Sequence, residues 1–270
     1  APVEWDILYE GWTDFTDVSQ TRMLDRNFRE VGSQIVAETF EISKTRKNTR
    51  YELVEDETEH QILALIRKLR RSEGHMCISS RPVYSGGAYV FGNQAQETTM
   101  CGIYTWPDIT QAEAAHHADV YKAMAGVELT KTQLDNTIRQ LWLTEHANYN
   151  EGDWAILTDP ITKTYINDFD STIRRKKDEK KAGWNVDVYD SGIGKEFPVM
   201  VDQYMPTGSL LICNWNQFSR GYYANDKMDR KEIATQGRYQ RWLISYQMYG
   251  VVARKPRQIA KLSGMPTTTA

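Results

Sequence analysis

At 270 residues the chain is long enough for one large domain or two small ones, with a substantial core. Its 40% hydrophobic and 26% charged content is that of a globular protein and excludes an intrinsically disordered class. A net charge of −3 excludes a global positive field that would draw in nucleic acid, so any such contact is confined to a local patch or to enclosure.

The first segment, residues 1–28, carries Trp5, Tyr9, Trp12, Phe15 and Phe28 without a sustained helical or strand period. Terminal segments without tie-downs are usually polar, so these aromatics read either as an arm anchored on a partner or as a cap on the chain's own core. APVEWDILYE has neither a basic n-region nor an apolar h-region and does not read as a signal peptide. A chain starting at Ala1 fits removal of an initiator Met or cleavage of a longer precursor.

Residues 29–45 read as strand, with Val36, Phe40 and Ile42 on one face and Glu38 intruding among them. A basic, polar turn follows over 44–50, with Lys44, Arg46, Lys47 and Arg50. Ile62, Leu65, Ile66, Leu69 and Met76 then keep helical spacing, which predicts a helix over about 53–78. Glu55, Asp56, Glu57 and Glu59 stand at its front and Arg67, Lys68, Arg70 and Arg71 come later. That order suits the helix dipole and i,i+4 pairing better than a nucleic-acid contact. A projecting strand of this kind is marginal alone in water and needs a surface to lie on.

A glycine-rich loop occupies 85–93. Thr130, with Gln133 three residues on, forms a capping box and starts a helix whose apolar stripe is Leu134, Ile138, Leu141 and Trp142. Trp154–Leu157 is a short buried strand, and Asp159-Pro160 caps a helix over 160–169. RRKKDEKK at 174–181 (Arg174, Arg175, Lys176, Lys177, Lys180, Lys181) reads as an exposed basic loop. Val186–Tyr189, Phe197–Val201, Leu210–Cys213 and the long run Arg238–Arg254 read as strands. Helices and strands mix without a βαβ repeat, which indicates an α+β fold.

Catalytic motifs are missing from this pattern. There is no GxSxG, HExxH or DxDxDG, and Gly192-Ile193-Gly194-Lys195 fits a hairpin turn better than a phosphate loop. His116 and His117 are adjacent and diverge by about 100° on a helix, so they do not readily share a metal. Cys77, Cys101 and Cys213 form no CxxC pair and read as small buried apolar residues of a reducing compartment. The apolar runs are too short for a membrane span. The reading is of no catalysis, no metal and no cofactor.

Six segments in order carry a family resemblance: SQIVAETFEISKTR (33–46), EDETEHQILALIRKLRRSEGHM (55–76), TTMCGIYTWP (98–107), LTKTQLDNTIRQLW (129–142), NVDVYDSGIGKEFPVMVDQYMPTGSLLICNW (185–215) and RWLISYQMYGVVARKPRQIAKLSG (241–264). Together the chain resembles a tailed-bacteriophage major capsid protein with the Hong Kong 97-type fold. Residues 1–28, 108–128 and RRKKDEKK match nothing in that pattern.

The resemblance implies an N-terminal arm (1–28), an extended β-hairpin loop (29–52), a discontinuous peripheral domain built on a long spine helix (53–127 and 236–270) and an axial domain (128–235). It further implies pentamers and hexamers closing into an icosahedral shell around double-stranded DNA, without sequence-specific binding. Portal, scaffold or decoration proteins would be further partners, with assembly in the host cytoplasm and no membrane. Trp5, Tyr9, Trp12 and Phe15 would be arm contacts, Val36, Phe40, Ile42, Lys44, Arg46, Lys47 and Arg50 the inter-subunit loop, and the bases of 174–181 a loop near the capsomer axis. No motif carries over a lysine–asparagine cross-link. An encapsulin-like nanocompartment shell shares the expected fold; a soluble α+β enzyme or a DNA-binding protein using 67–71 and 174–181 are rivals of other classes.

Overall fold

A computed structural model describes residues 33–43, 46, 57–85, 88–90, 100–113, 116–169, 173–177, 185–222, 229–236 and 239–267, all within the unit Val31–Ala270. The arm residues Trp5, Tyr9, Trp12 and Phe15, the loop bases Lys44, Lys47 and Arg50, and Lys180 and Lys181 lie outside them.

Strand β1 (Ser33–Ser43) opens the described chain and is followed by helix α1 (Glu57–Ser79). A small hairpin, β2 (Val83–Ser85) and β3 (Ala88–Val90), precedes a 3-10 turn and helix α2 (Trp106–Glu113). Strand β4 (Tyr121–Ala123), helix α3 (Lys131–Glu145), strand β5 (Trp154–Thr158) and helix α4 (Pro160–Asn167) come next. Strands β6 (Ile173–Lys177), β7 (Asn185–Asp190), β8 (Glu196–Val201), β9 (Ser209–Asn214), β10 (Phe218–Tyr222), β11 (Asp229–Gln236), β12 (Tyr239–Ala253) and β13 (Ala260–Ser263) complete it.

Local chemistry accounts for several boundaries. Thr130 accepts from the Gln133 N–H and the Gln133 side chain accepts from the Thr130 N–H, so the expected capping box starts α3. Asp159 caps α4, with Pro160 in its first turn. The turn at 191–195 closes the antiparallel β7–β8 hairpin, with Gly194 at φ +81°. Residues 108–128, unplaced from sequence, contain most of α2 and all of β4.

A seven-stranded mixed sheet runs β4-β13-β9-β5-β8-β7-β6. Ile156, Leu210 and Ile212 face one core with Leu134 and Ile138 of α3 and Ile166 of α4, while Leu157, Leu211 and Cys213 face a second core with Ile78, Trp106 and Val251. Burial on both faces explains why β5 and β9 read as continuous apolar runs without alternation. The sheet crosses the domain boundaries drawn from sequence: β4 and β13 come from the two spans assigned to the peripheral domain.

The second sheet is built on the long strand β12. β1 lies antiparallel along one side, from Ser33 opposite Tyr249 to Ser43 opposite Tyr239, and β10 and β11 share the other. Gly250 of β12 sits where the chain passes Cys101: a Cβ there would stand 2.7 Å from the Cys101 carbonyl oxygen, so only glycine fits. The Trp106 indole N–H donates to the Val251 carbonyl at 2.6 Å and locks this crossing.

Four sequence readings are corrected. RRKK at 174–177 is strand β6, paired with β7 at the edge of the seven-stranded sheet, and is not loop. A run of bases on an edge strand is a composition that discourages further strands from adding. Trp142 does not belong to the buried stripe of α3; it is 45% exposed and meets Tyr149 edge-on. The bases of α1 do not complement its C-terminus, because the last turn of the helix, which ends at Ser79 close to the expected position, contains none. Finally, β1 does not wait for a neighbour to bury Ile42, which is 3% exposed within this chain.

Candidate assembly surface

Strand β1 lies in the span that the resemblance assigned to contact between copies, and helix α1, with its core residues Ile62, Leu65, Ile66, Leu69 and Met76, is the expected spine helix. On β1 the even-numbered positions face α1 and the odd ones face away, as a period of two requires. Val36 and Phe40 pack on a core of Ile62, Leu65, Leu69, Met100 and Ile244, with Ile66 and Met76 of the helix beside them. Glu38, the misfit on this face, forms an ion pair with Lys68 of α1, so a charge that looks wrong on the strand pins the sheet to the helix.

Both ends of α1 are tied down through buried acids. Arg46 reaches Glu57 at 3.1 Å, and its own backbone N–H donates to the Ser43 hydroxyl. Arg220 of β10 reaches Glu73 at 2.7 Å. Among the loop bases expected from sequence, Arg46 thus serves within the chain.

The opposite face of β1 is open. Ile35 is 66% exposed, Ala37 and Thr39 follow it, and Glu41 pairs with Arg241 across to β12. The outer edge of β1 pairs with no strand among the described residues. A long edge strand with an exposed isoleucine is a surface on which another chain can add hydrogen bonds and apolar area. On the other sheet, Leu143 (60%) and Trp142 are exposed together on α3.

The interior also holds two buried polar knots that single-residue motifs do not announce. His116 holds Glu145 through Nδ1 at 3.2 Å and Thr110 Oγ1 through Nε2 at 2.6 Å, and Arg257 grips the same carboxylate at 2.8 and 3.2 Å. Burial works to raise the Glu145 carboxyl, but His116 and Arg257 outweigh it and hold it below the usual carboxylate range. The Lys261 ammonium lies 2.5 Å from Asp108 and 3.6 Å from the centre of the Tyr104 ring, and the Tyr121 hydroxyl donates to the same carboxylate. Burial pulls the Lys261 ammonium down while Asp108 resists. These groups saturate one another and join α2, α3, β4 and β13; they are fastenings.

The remaining chemistry-bearing residues are arranged in the same way. Cys101 and Cys213 are buried, and burial pushes the Cys213 thiol up to about 12. His60, His75, His117 and His146 are exposed. No group of three or more His, Cys, Asp or Glu is placed to hold a metal ion among the described residues. No described helix is long and apolar enough to cross a membrane.

A family model described as SU10 major capsid protein matches residues 10–266. No curated protein matches the sequence. Among solved structures, the chain is similar to the holo-SrpI encapsulin complex from Synechococcus elongatus PCC 7942, with a TM-score of 0.58 at 11% identity, over 88% of this chain and 75% of that one. It is similar to the capsid of a native GTA particle, with a TM-score of 0.55 at 13% identity, over 95% and 81%. The capsid of Cyanophage A-1(L) gives 0.54 at 11% identity, over 86% and 77%.

Proposed function

The chain belongs to the SU10 major capsid protein family and has the Hong Kong 97-type fold of tailed-phage capsids, and from that premise we propose how it builds its shell. It is a structural protein of the virion capsid. Copies associate as pentamers and hexamers that close into an icosahedral shell around double-stranded DNA, assembled in the host cytoplasm, with a portal and scaffold or decoration proteins as further partners. No catalytic step belongs to this role.

The observation that carries this reading is the family match over nearly the whole chain. Fold alone would serve an encapsulin-like compartment equally well, since that fold encloses cargo in one case and a genome in the other. An open edge strand with Ile35 outward and the exposed Trp142 and Leu143 on α3 support this reading, and the sequence adds the aromatic segment with Trp5, Tyr9, Trp12 and Phe15. Each contact can be weak, because a closed shell repeats it many times. We retain the peripheral and axial division as a proposal, with the seven-stranded sheet as the element through which its parts are joined.

Recombinant full-length protein viewed by negative-stain electron microscopy tests the reading, together with nuclease-protected DNA measured in particles from infected cells. Closed shells and protected double-stranded DNA support it. Shells that hold protein cargo and no DNA would transfer the chain to the encapsulin-like reading.

A further inference from the structure

The exposed face of α1 carries a charge pattern that neither the fold nor the helix dipole uses. Arg67, Arg70 and Arg71 are all exposed, and none of their side chains has a hydrogen bond or ion pair with another described residue. At 3.6 residues per turn they fall within an arc of about 100° on the side away from β1 and β12. Other charges nearby are already engaged: Lys68 with Glu38, and Glu73 with Arg220. Leu63, 48% exposed, lies in the same arc, as does His60.

This arrangement works against the helix. Arg67 and Arg71 are i,i+4 and Arg67 and Arg70 are i,i+3, so like charges face each other at the two spacings where pairing is felt. The acids of the first turn, Glu57 and Glu59, are at least two turns away from Arg67, and the last turn begins beyond Arg71. An anionic partner outside the subunit removes the repulsion.

We propose that the outward face of α1, through Arg67, Arg70 and Arg71, is a phosphate-contacting surface for the enclosed duplex DNA. Arg67 and Arg71 are separated by about 6 Å along the helix axis, close to two phosphate steps of one strand at about 3.4 Å each. Guanidinium groups present planar donor forks that match phosphate oxygens. Three exposed charges per subunit, screened over about 8 Å at physiological salt, hold DNA loosely and without sequence preference, as a genome that must later leave requires. The proposal rests on the genome-enclosing reading above.

The test uses unassembled full-length protein and a fluorescent 30-base-pair duplex, with binding followed by anisotropy across a salt series. R67Q/R70Q/R71Q is expected to flatten the slope of log K against log salt by up to about 2.7, at about 0.9 per phosphate contact released. K131Q/R139Q/R254Q removes three exposed bases elsewhere and leaves the slope unchanged. The thermal midpoint of R67Q/R70Q/R71Q is expected slightly above that of the parent, because the like-charge pairs at i,i+3 and i,i+4 are removed, and that of K131Q/R139Q/R254Q stays at the parent's.

Equal loss in both variants would reduce the effect to net charge and overturn the proposal. Competition by polyglutamate at lower charge concentration than DNA would overturn it too, and would reassign the face to an acidic protein surface. Micrographs without shells would sink the capsid reading of this chain while leaving the binding result to stand or fall on its own slope.

Discussion

The two sheets of this subunit differ in how completely they are closed. The central strands β5 and β9 of the seven-stranded sheet are covered on both faces, with Ile156, Leu210 and Leu211 at or near zero exposure, and Phe197 of β8 is buried beside them. The sheet of β1, β12, β10 and β11 is covered on one face by α1, over a small core of Ile62, Leu65, Leu69, Met100 and Ile244, and leaves Ile35 and the β1 edge open. The first sheet is a foundation that satisfies itself. The second satisfies itself on one side only, which is what a subunit made for repeated contact needs.

If that contrast is right, substitutions should separate folding from assembly. Phe197→Ala removes a fully buried ring that meets Tyr149 edge-on at 5.2 Å and should cost about 3–5 kcal/mol. Urea titration of the unassembled subunit would read it, and a loss below about 1 kcal/mol would show that this core is not the foundation. Leu69→Ala, in the smaller core, should cost roughly 2–3 kcal/mol in the same titration. A value above that for Phe197→Ala would invert the comparison.

Arg257→Gln probes the fastening between α3 and the turn before β13. Because Arg257 is itself half exposed, the expected loss is about 1–3 kcal/mol. The sign with pH is fixed by the lowered Glu145 carboxyl: its contribution is present above the unfolded carboxylate value and is lost as pH falls through the folded one. Acid unfolding of the variant, followed by circular dichroism, should therefore begin at higher pH than in the parent, and an unchanged onset would remove Glu145 from the account. Ile35→Asp should have the smallest effect on folding, within about 0.5 kcal/mol, and yet reduce the yield of closed shells. Normal shell yield would mean the open face of β1 is not used in assembly.

Much of this architecture could be read from local chemistry. The capping box at Thr130, the N-cap Asp159 with Pro160 after it, the spacing of Ile62, Leu65 and Leu69, and the apolar runs of β5 and β9 each announce an element through a signal contained within a few residues. What escaped was set by distant partners. Nothing near Ile173 says that RRKK is a strand; its pairing with β7 across a basic segment does. Glu38 looked misplaced on β1 until Lys68, thirty residues later, supplied its counter-ion. The pairing of β1 with β12 spans about two hundred residues, and the Lys261–Asp108 pair joins segments with no shared motif. Helical spacing alone cannot say where an apolar stripe ends, so it puts the exposed Trp142 in the stripe of α3. The arginines of α1 are visible in sequence as a charge run, and a helix predicted to about 78 already puts them short of its last turn; what only the fold shows is that they lie on the side away from β1 and β12.

The claim on which the rest depends is that copies of this chain close into a shell. Cryo-electron microscopy of purified full-length protein, concentrated under assembly conditions, addresses it most directly. The account predicts closed icosahedral particles in which the β1 edge and its Ile35 face are covered by a neighbouring subunit. A population of small oligomers alone, or shells in which that face stays open to solvent, would contradict it.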